Sequence, residues 1–218
     1  MNELLLATSP HKVDPYISVV EIDFSKIPAG STSFTDVTGK QFSRGGGTAI
    51  VQGGAGVFSG DGGFEAAFPA AAFDNAKSVQ ITVIFEPITP PTTTGDYQSL
   101  VETGAARTPR ITGYFHCFNS AQTETWVTGG ANNVVAATQP VTKAEKQTHV
   151  LTHTIASNSL QIQKYNALGS LTSTNSGFVQ PVGASGGTTI SVGASWVAGR
   201  KFFFKGKIHY LKIGVIKN

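Results

Sequence analysis

Two tryptophans and five histidines are the side chains of this chain best suited to recognition or chemistry. Sugar recognition requires an aromatic plane that can stack on a pyranose beside amide and hydroxyl groups. Trp126 stands near Asn119, Gln122 and Asn132, and Trp196 lies in the more loop-like Ala194-Ser-Trp-Val-Ala-Gly199. Asn119, Trp126 and Trp196 are therefore candidate glycan-binding residues, against the alternative that both tryptophans belong to a core. His149 and His153 are four apart, the spacing that brings two ligands to one zinc on a helix. On a strand the same spacing is about 13 Å, so no metal is shared. With Leu151 and Ile155 they point to one face, which favours packing. Cys117, the only cysteine, sits in Tyr114-Phe-His-Cys-Phe118 and reads as a buried structural thiol. Serine and threonine are so frequent that none stands out as a nucleophile, and no catalytic residue is assigned.

These side chains need a scaffold, and composition narrows its type. Charged residues make up 13% of the 218, against roughly 25% in ordinary soluble proteins, which implies a neutral, hydroxyl-rich surface. No charged or Pro-rich linker interrupts the interior, so residues 16–218 are expected to form a single domain preceded by an extended N-terminal arm, residues 1–15, containing Pro10 and Pro15. The opening Met1-Asn-Glu-Leu-Leu-Leu-Ala lacks the positive charge and apolar length of a signal peptide. No stretch approaches the ~20 apolar residues of a membrane span. The expectation is cytoplasmic synthesis without a signal peptide or membrane insertion. Net charge is +3, but all thirteen acids lie at or before Glu145, so residues 1–145 carry −5 and residues 146–218 carry +8. This asymmetry either polarises the molecule or is averaged out by strands interleaved from both halves. Basic residues are spread thinly among apolar ones, so no nucleic-acid partner is expected.

Strand patterning dominates the chain. Ser78 to Phe85 sets Val79, Ile81 and Val83 against Ser78, Gln80 and Thr82, the alternation of a half-buried strand. Tyr16–Phe24, Thr48–Gln52, Gly56–Phe58, Phe64–Phe68, Tyr97–Thr103, Arg110–Phe118, Thr123–Thr128 and Asn132–Ala137 read as further strands. His149–Ile155 and Leu160–Tyr165 form a hairpin, continued by Leu171–Thr174. Lys143–Lys146 is expected to form one helical turn, and Asn175–Gly187 a long Gly/Ser segment. From Arg200 to Lys217 a closing strand changes phase: Phe202, Phe204, Ile208 and Tyr210 give way to Leu211, Ile213 and Val215, which predicts a bulge or burial of both faces. About a dozen short strands suit an all-β, two-sheet antiparallel β-sandwich of jelly-roll type.

Four stretches carry a family likeness: Glu21-Ile-Asp-Phe24 with Phe34-Thr-Asp-Val-Thr-Gly-Lys40; Gly56-Val-Phe-Ser-Gly-Asp-Gly-Gly-Phe64; His149-Val-Leu-Thr-His-Thr-Ile155 with Leu160-Gln-Ile-Gln-Lys-Tyr-Asn166; and Ile190-Ser-Val-Gly-Ala-Ser195 with Phe203-Phe-Lys-Gly-Lys-Ile208. Their order resembles the laminin-G-like branch of the concanavalin A-like lectin and glucanase superfamily, in the form met in bacteriophage particle proteins. After the last motif many members carry an acidic pair, and His209-Tyr210 stands there instead.

The resemblance implies a concanavalin A-like jelly roll. It also implies a non-enzymatic bacteriophage virion module, such as a capsid decoration, tail or fibre component, whose partners are other virion proteins or copies of itself. A carbohydrate-binding module for cell-surface glycan is the alternative, and a glycoside hydrolase a third. Family glycosidases place Glu-x-Asp-x-x-Glu on one strand so that both acids reach one sugar. Here the partial match Glu21-Ile-Asp23-Phe-Ser-Lys26 has lysine in the acid/base position. Lectin-like sandwiches often hold calcium on loop oxygens. Asp61, with Asp96 and Asn119, is the candidate site, unless Gly60 and Gly62 supply positive φ while Asp61 caps a turn. No other cofactor is implied.

Overall fold

Alternate residues of one long strand, Val79, Ile81, Val83 and Phe85, are buried together, and the strands on either side repeat the pattern with Leu151, His149 and His153 and with Leu211, Ile213 and Val215. Period-2 burial of this kind builds a face that must be covered by a second sheet. The computed structural model describes residues 14–69, 71–88, 97–103, 113–118, 122–129, 132–178, 188–195 and 202–217, with backbone alone at 115, 118 and 178 and over 122–129 and 132–140.

Among these residues there are eighteen strands and no α-helix. They are β1 (Ile17–Asp23), β2 (Ser33–Thr35), β3 (Gln41–Arg44), β4 (Ile50–Gln52), β5 (Ala55–Ser59), β6 (Phe64–Ala67), β7 (Ala76–Pro87), β8 (Gln98–Thr103) and β9 (Gly113–Phe118). The others are β10 (Gln122–Gly129), β11 (Asn132–Pro140), β12 (Gln147–Thr154), β13 (Ser159–Tyr165), β14 (Leu171–Phe178), β15 (Thr189–Val192), β16 (Ala194–Ser195), β17 (Phe202–Phe203) and β18 (Lys205–Lys217). Sheet 1 runs β14-β13-β12-β7-β18-β5-β4, with β1 also paired to β18. Sheet 2 runs β11-β10-β9-β8-β15-β6-β3-β2, and β16 and β17 form a small third pair. All pairings are antiparallel, and the sheets pack as a sandwich.

The core lies between the two sheets. At one end it is aromatic: Phe34 stacks on Phe42 with ring centroids 5.4 Å apart and meets Phe64 edge-on at 5.1 Å, while Phe58 bridges Phe64 and Phe204. Each fully buried phenylalanine stabilises the fold by about 1.5–3 kcal/mol. Residues 1–13 lie outside the described residues. Of the expected arm only Asp14 and Pro15 are described, and Asp14 accepts a 2.6 Å hydrogen bond from Lys212 Nζ on β18.

The closing strand follows its sequence pattern. In the pairing of β18 with β7 the register shifts between Ile208 and Tyr210, a bulge at His209. On its other side β18 pairs with β5 up to Ile208 and with β1 from Tyr210 onward. The bulge returns Leu211, Ile213 and Val215 to the core and turns Tyr210 outward, where its hydroxyl donates to Glu21 Oε1 at 3.0 Å. The aromatic start of the run is separate: Phe202–Phe203 pairs with β16.

Three expectations change. β2 and β3 fall between Phe24 and Thr48, a Gly- and Ser/Thr-rich stretch in which the sequence shows no strand pattern; each buries only one residue, Phe34 or Phe42, too few to produce alternation. Lys143–Lys146 is a turn, not helical: Ala144 has φ 55° and its N–H donates to the Pro87 carbonyl at 2.8 Å. Asn175–Phe178 continues β14 as the mostly exposed edge of sheet 1, where no buried face imposes a pattern.

Candidate functional site on the outward face of sheet 2

Cross-strand register assembles a polar row that no segment of sequence displays. Tyr114 and His116 of β9 face the core, since Tyr114 packs on Phe73 and His116 on His149. Cys117 therefore falls on the opposite face. Glu102 pairs with Phe115, Ser191 with Glu102, Glu65 with Ser191 and Ser43 with Glu65. In the other direction Trp126 pairs with Phe115, and Glu124 pairs with Cys117. One row thus crosses sheet 2 as Ser43, Glu65, Ser191, Glu102, Phe115 and Trp126, with Ser99, Cys117 and Glu124 in the next.

Although this face is turned away from the core, its centre is not open. Ser99 and Ser191 are 0% exposed and Glu102 is 5% exposed. The hydroxyls of Ser99 and Ser191 and the Oε1 atom of Glu65 are buried without hydrogen-bond partners. Buried polar atoms are nearly always satisfied in native proteins, and leaving one unsatisfied costs about 1–3 kcal/mol. Three such atoms, on Glu65, Ser99 and Ser191, lie on this face.

Charge separates the two sheets. The strands of sheet 2 contain Glu65, Glu102 and Glu124 against Arg44 alone, and Glu65 and Glu102 fall on the outward face by register. The strands of sheet 1 contain Lys77, Lys164, Lys205, Lys207, Lys212 and Lys217 against Glu21, Asp23 and Glu86. Among the described strands interleaving therefore leaves an uneven distribution of charge, because Lys205, Lys207, Lys212 and Lys217 all lie on β18, a strand of sheet 1.

A second polar cluster lies inside the sandwich. His149 and His153 share the inner face of β12 with Leu151, as their spacing implies, and face the second sheet rather than solvent. The His149 and His116 rings have centroids 5.5 Å apart, and the Tyr114 hydroxyl and His153 Nδ1 are 2.7 Å apart. Lys164 pairs with His149 and donates from Nζ to Thr142 Oγ1 at 2.9 Å. Burial pushes His116 down to about 3 and His153 down to about 4. Burial also holds His149 well below the usual histidine range, reinforced by His116 and by the Lys164 ammonium. These are neutral imidazoles of the core.

Asp61 behaves as a turn cap. Its carboxylate accepts from the Thr48 N–H at 3.1 Å and from Thr48 Oγ1 at 3.0 and 3.1 Å. Gly60 has φ 88°, whereas Gly62 does not adopt positive φ; a Cβ there would strike the Gly46 carbonyl. Among the described residues no three His, Cys, Asp or Glu side chains gather to hold a metal ion. Asp96, Asn119 and Trp196 lie outside the described residues, and Trp126 is described by its backbone in β10. Cys117 is buried. Glu65, Ser191 and Glu102, absent from the sequence-based candidates, carried no local signal beyond alternation within their own strands.

The architecture is that of a lectin-like jelly-roll sandwich. No family model and no curated protein matches the chain, but solved structures share its fold. A Trypanosoma rangeli sialidase in complex with 2,3-difluoro-KDN aligns with TM-score 0.61 and 14% identity, covering 95% of this chain and 33% of that one. The botulinum neurotoxin serotype D binding domain aligns with TM-score 0.58 and 10% identity, covering 92% and 48%. The botulinum neurotoxin type G receptor binding domain aligns with TM-score 0.55 and 7% identity, covering 90% and 47%. At such identities the likeness is one of fold, and the chain spans a third to a half of these proteins' lengths. None of the three is a bacteriophage particle protein.

Proposed function

We propose that the chain is a carbohydrate-binding module whose glycan site is the outward face of sheet 2. The observation that carries this reading is the set of buried, unsatisfied polar atoms of Glu65, Ser99 and Ser191 on a face that takes no part in the core. Sugars present hydroxyls that donate and accept, and so match a site that pairs carboxylates with serine hydroxyls. The row continues through the backbone register positions of Phe115 and Trp126. The shared fold adds support, since the Trypanosoma rangeli sialidase structure holds a sugar acid.

The module acts by binding, and no bond is broken. Glu21 and Asp23, the partial match to the glycosidase motif, are committed to scaffold contacts: Glu21 accepts from Ser18 and Tyr210, and Asp23 from Ser25. A virion role rests on the sequence resemblance alone. Screening the whole chain against a glycan array, followed by alanine substitution of Trp126 and Ser191, tests the reading. Binding that both substitutions weaken is the expected result; an array without hits, or hits indifferent to both substitutions, overturns it.

A further inference from the structure

Exposed aliphatic side chains are not scattered evenly over this protein. Among the described residues the large apolar side chains left open to solvent are Leu168 (87% exposed), Leu171 (51%), Ile88 (44%), Val37 and Ile17. Val37 and Ile17 lie beside or on β1, whereas the other three gather at one end of sheet 1. Antiparallel register puts the start of β18, the end of β7, the start of β12, the end of β13 and the start of β14 together there. The Ile88 N–H donates to the Lys205 carbonyl at 3.0 Å, and the 143–146 turn is pinned to Pro87 through Ala144. From β14 to β18 this end crosses four strand spacings, roughly 19 Å.

Leu168 is held outward by a closed turn. Asn166 Oδ1 accepts from the N–H groups of Leu168 and Ser170, both at 3.0 Å. The Asn166 N–H donates to the Ser170 carbonyl, and the N–H of Gly169, at φ 78°, donates to the Asn166 carbonyl. The same end carries Lys143, Lys146, Lys205 and Lys207, and its acids are engaged with other groups. Glu86 Oε1 lies 3.6 Å from Lys207 Nζ and Glu86 Oε2 3.7 Å from His209 Nε2, Glu145 is near enough to Lys164 to raise its pKa, and Asp61 on the neighbouring turn caps Thr48. Among the described residues Lys143, Lys146 and Lys205 form no ion pair.

We propose that this end of the sandwich docks on an anionic lipid bilayer, with Leu168, Leu171 and Ile88 entering the headgroup layer while Lys143, Lys146 and Lys205 meet lipid phosphates. Apolar tips set among unpaired cations suit such a surface: the aliphatic groups leave water and the ammonium groups gain from the negative surface potential. A soluble polyanion would satisfy the lysines but leave Leu168 in water. The contact is peripheral, so the chain rests on the bilayer without crossing it. This end is distinct from the face assigned to glycan above, and either assignment stands without the other.

Co-sedimentation of the whole chain with phosphatidylcholine vesicles, with and without phosphatidylglycerol as a third of the lipid, tests the proposal. The anionic vesicles should take up the chain about tenfold or more better than the neutral ones, and less so as salt is raised. L168D should weaken that partitioning by about tenfold, and K146A combined with K205A by about thirtyfold. V37D, at an exposed apolar position away from this end, should leave it unchanged, and thermal unfolding should show all the variants folded. No uptake, uptake indifferent to lipid charge, or an equal loss in V37D overturns the proposal. Uptake that the lysine substitutions abolish and L168D leaves intact overturns it too, since that is the behaviour of a polyanion site.

Discussion

The imidazole rings of His116 and His149 meet across the sandwich with centroids 5.5 Å apart, one from each sheet, both wholly buried. Around them stand Lys164, whose own pKa is lowered by burial and raised by Glu145, and the hydrogen-bonded pair Tyr114 and His153. The fold therefore holds its central histidines neutral.

Acid should unfold this protein early. Each histidine titrates near 6.5 when unfolded, and His116 and His153 only at about 3 and about 4 when folded. The unfolded state thus binds more protons between these limits. Stability is fully present above about pH 6.5 and is lost as pH falls toward 3. At pH 5 His116 alone accounts for about 2 kcal/mol of loss. Urea unfolding from pH 7.5 to 4.5 should show this slope, and His116→Leu should flatten it; a stability constant across that range would refute the assignment.

Lys164→Met should make the protein more tolerant of acid. The ammonium depresses His149, so its removal lets His149 protonate with less penalty. Replacing the buried cation by an apolar chain of similar length should also be neutral or mildly stabilising. The acid-unfolding midpoint, followed by circular dichroism, should move to lower pH; movement the other way would show that the lysine supports the fold by pairing.

Asp36→Ala should be among the most damaging surface-turn substitutions. The buried Asp36 carboxylate accepts from the Glu21 N–H at 3.0 Å, the Lys40 N–H at 2.7 Å and Thr38 Oγ1 at 2.8 Å, tying the turn to β1. Three donors lose their acceptor at once, and a cost of about 3 kcal/mol is expected. Denaturant titration measures it, and a loss below about 1 kcal/mol would show that water replaces the carboxylate.

Asp61→Ala should cost about 1 kcal/mol, the value of a capping interaction, through loss of the Thr48 contacts. Calcium or chelator should leave the thermal midpoint of the wild-type chain unchanged. A calcium-dependent rise that Asp61→Ala abolishes would instead make Asp61 a metal ligand.

The one-dimensional pattern determined a good deal. Alternation in Ser78–Phe85 marks a strand with one face buried, and the phase change after Ile208 marks the bulge at His209, because inside and outside alternate with period two wherever a face is buried. The same rule set His149 and His153 on one face. It said nothing of what they face, and it failed where burial is sparse: β2, β3 and the edge of β14 lack a pattern because they bury little.

Only the tertiary structure decided which residues become neighbours. β15, from near the end of the chain, inserts between β6 and β8 and brings Ser191 between Glu65 and Glu102. Pairing of β12 with β7 and packing against β9 bring His149 to His116. Alternation fixes the side of a sheet on which a residue lies, but strand order is set by long-range pairing and by the burial of two faces against each other. The acidic row and the histidine pair are products of that order, and no window of sequence contains either.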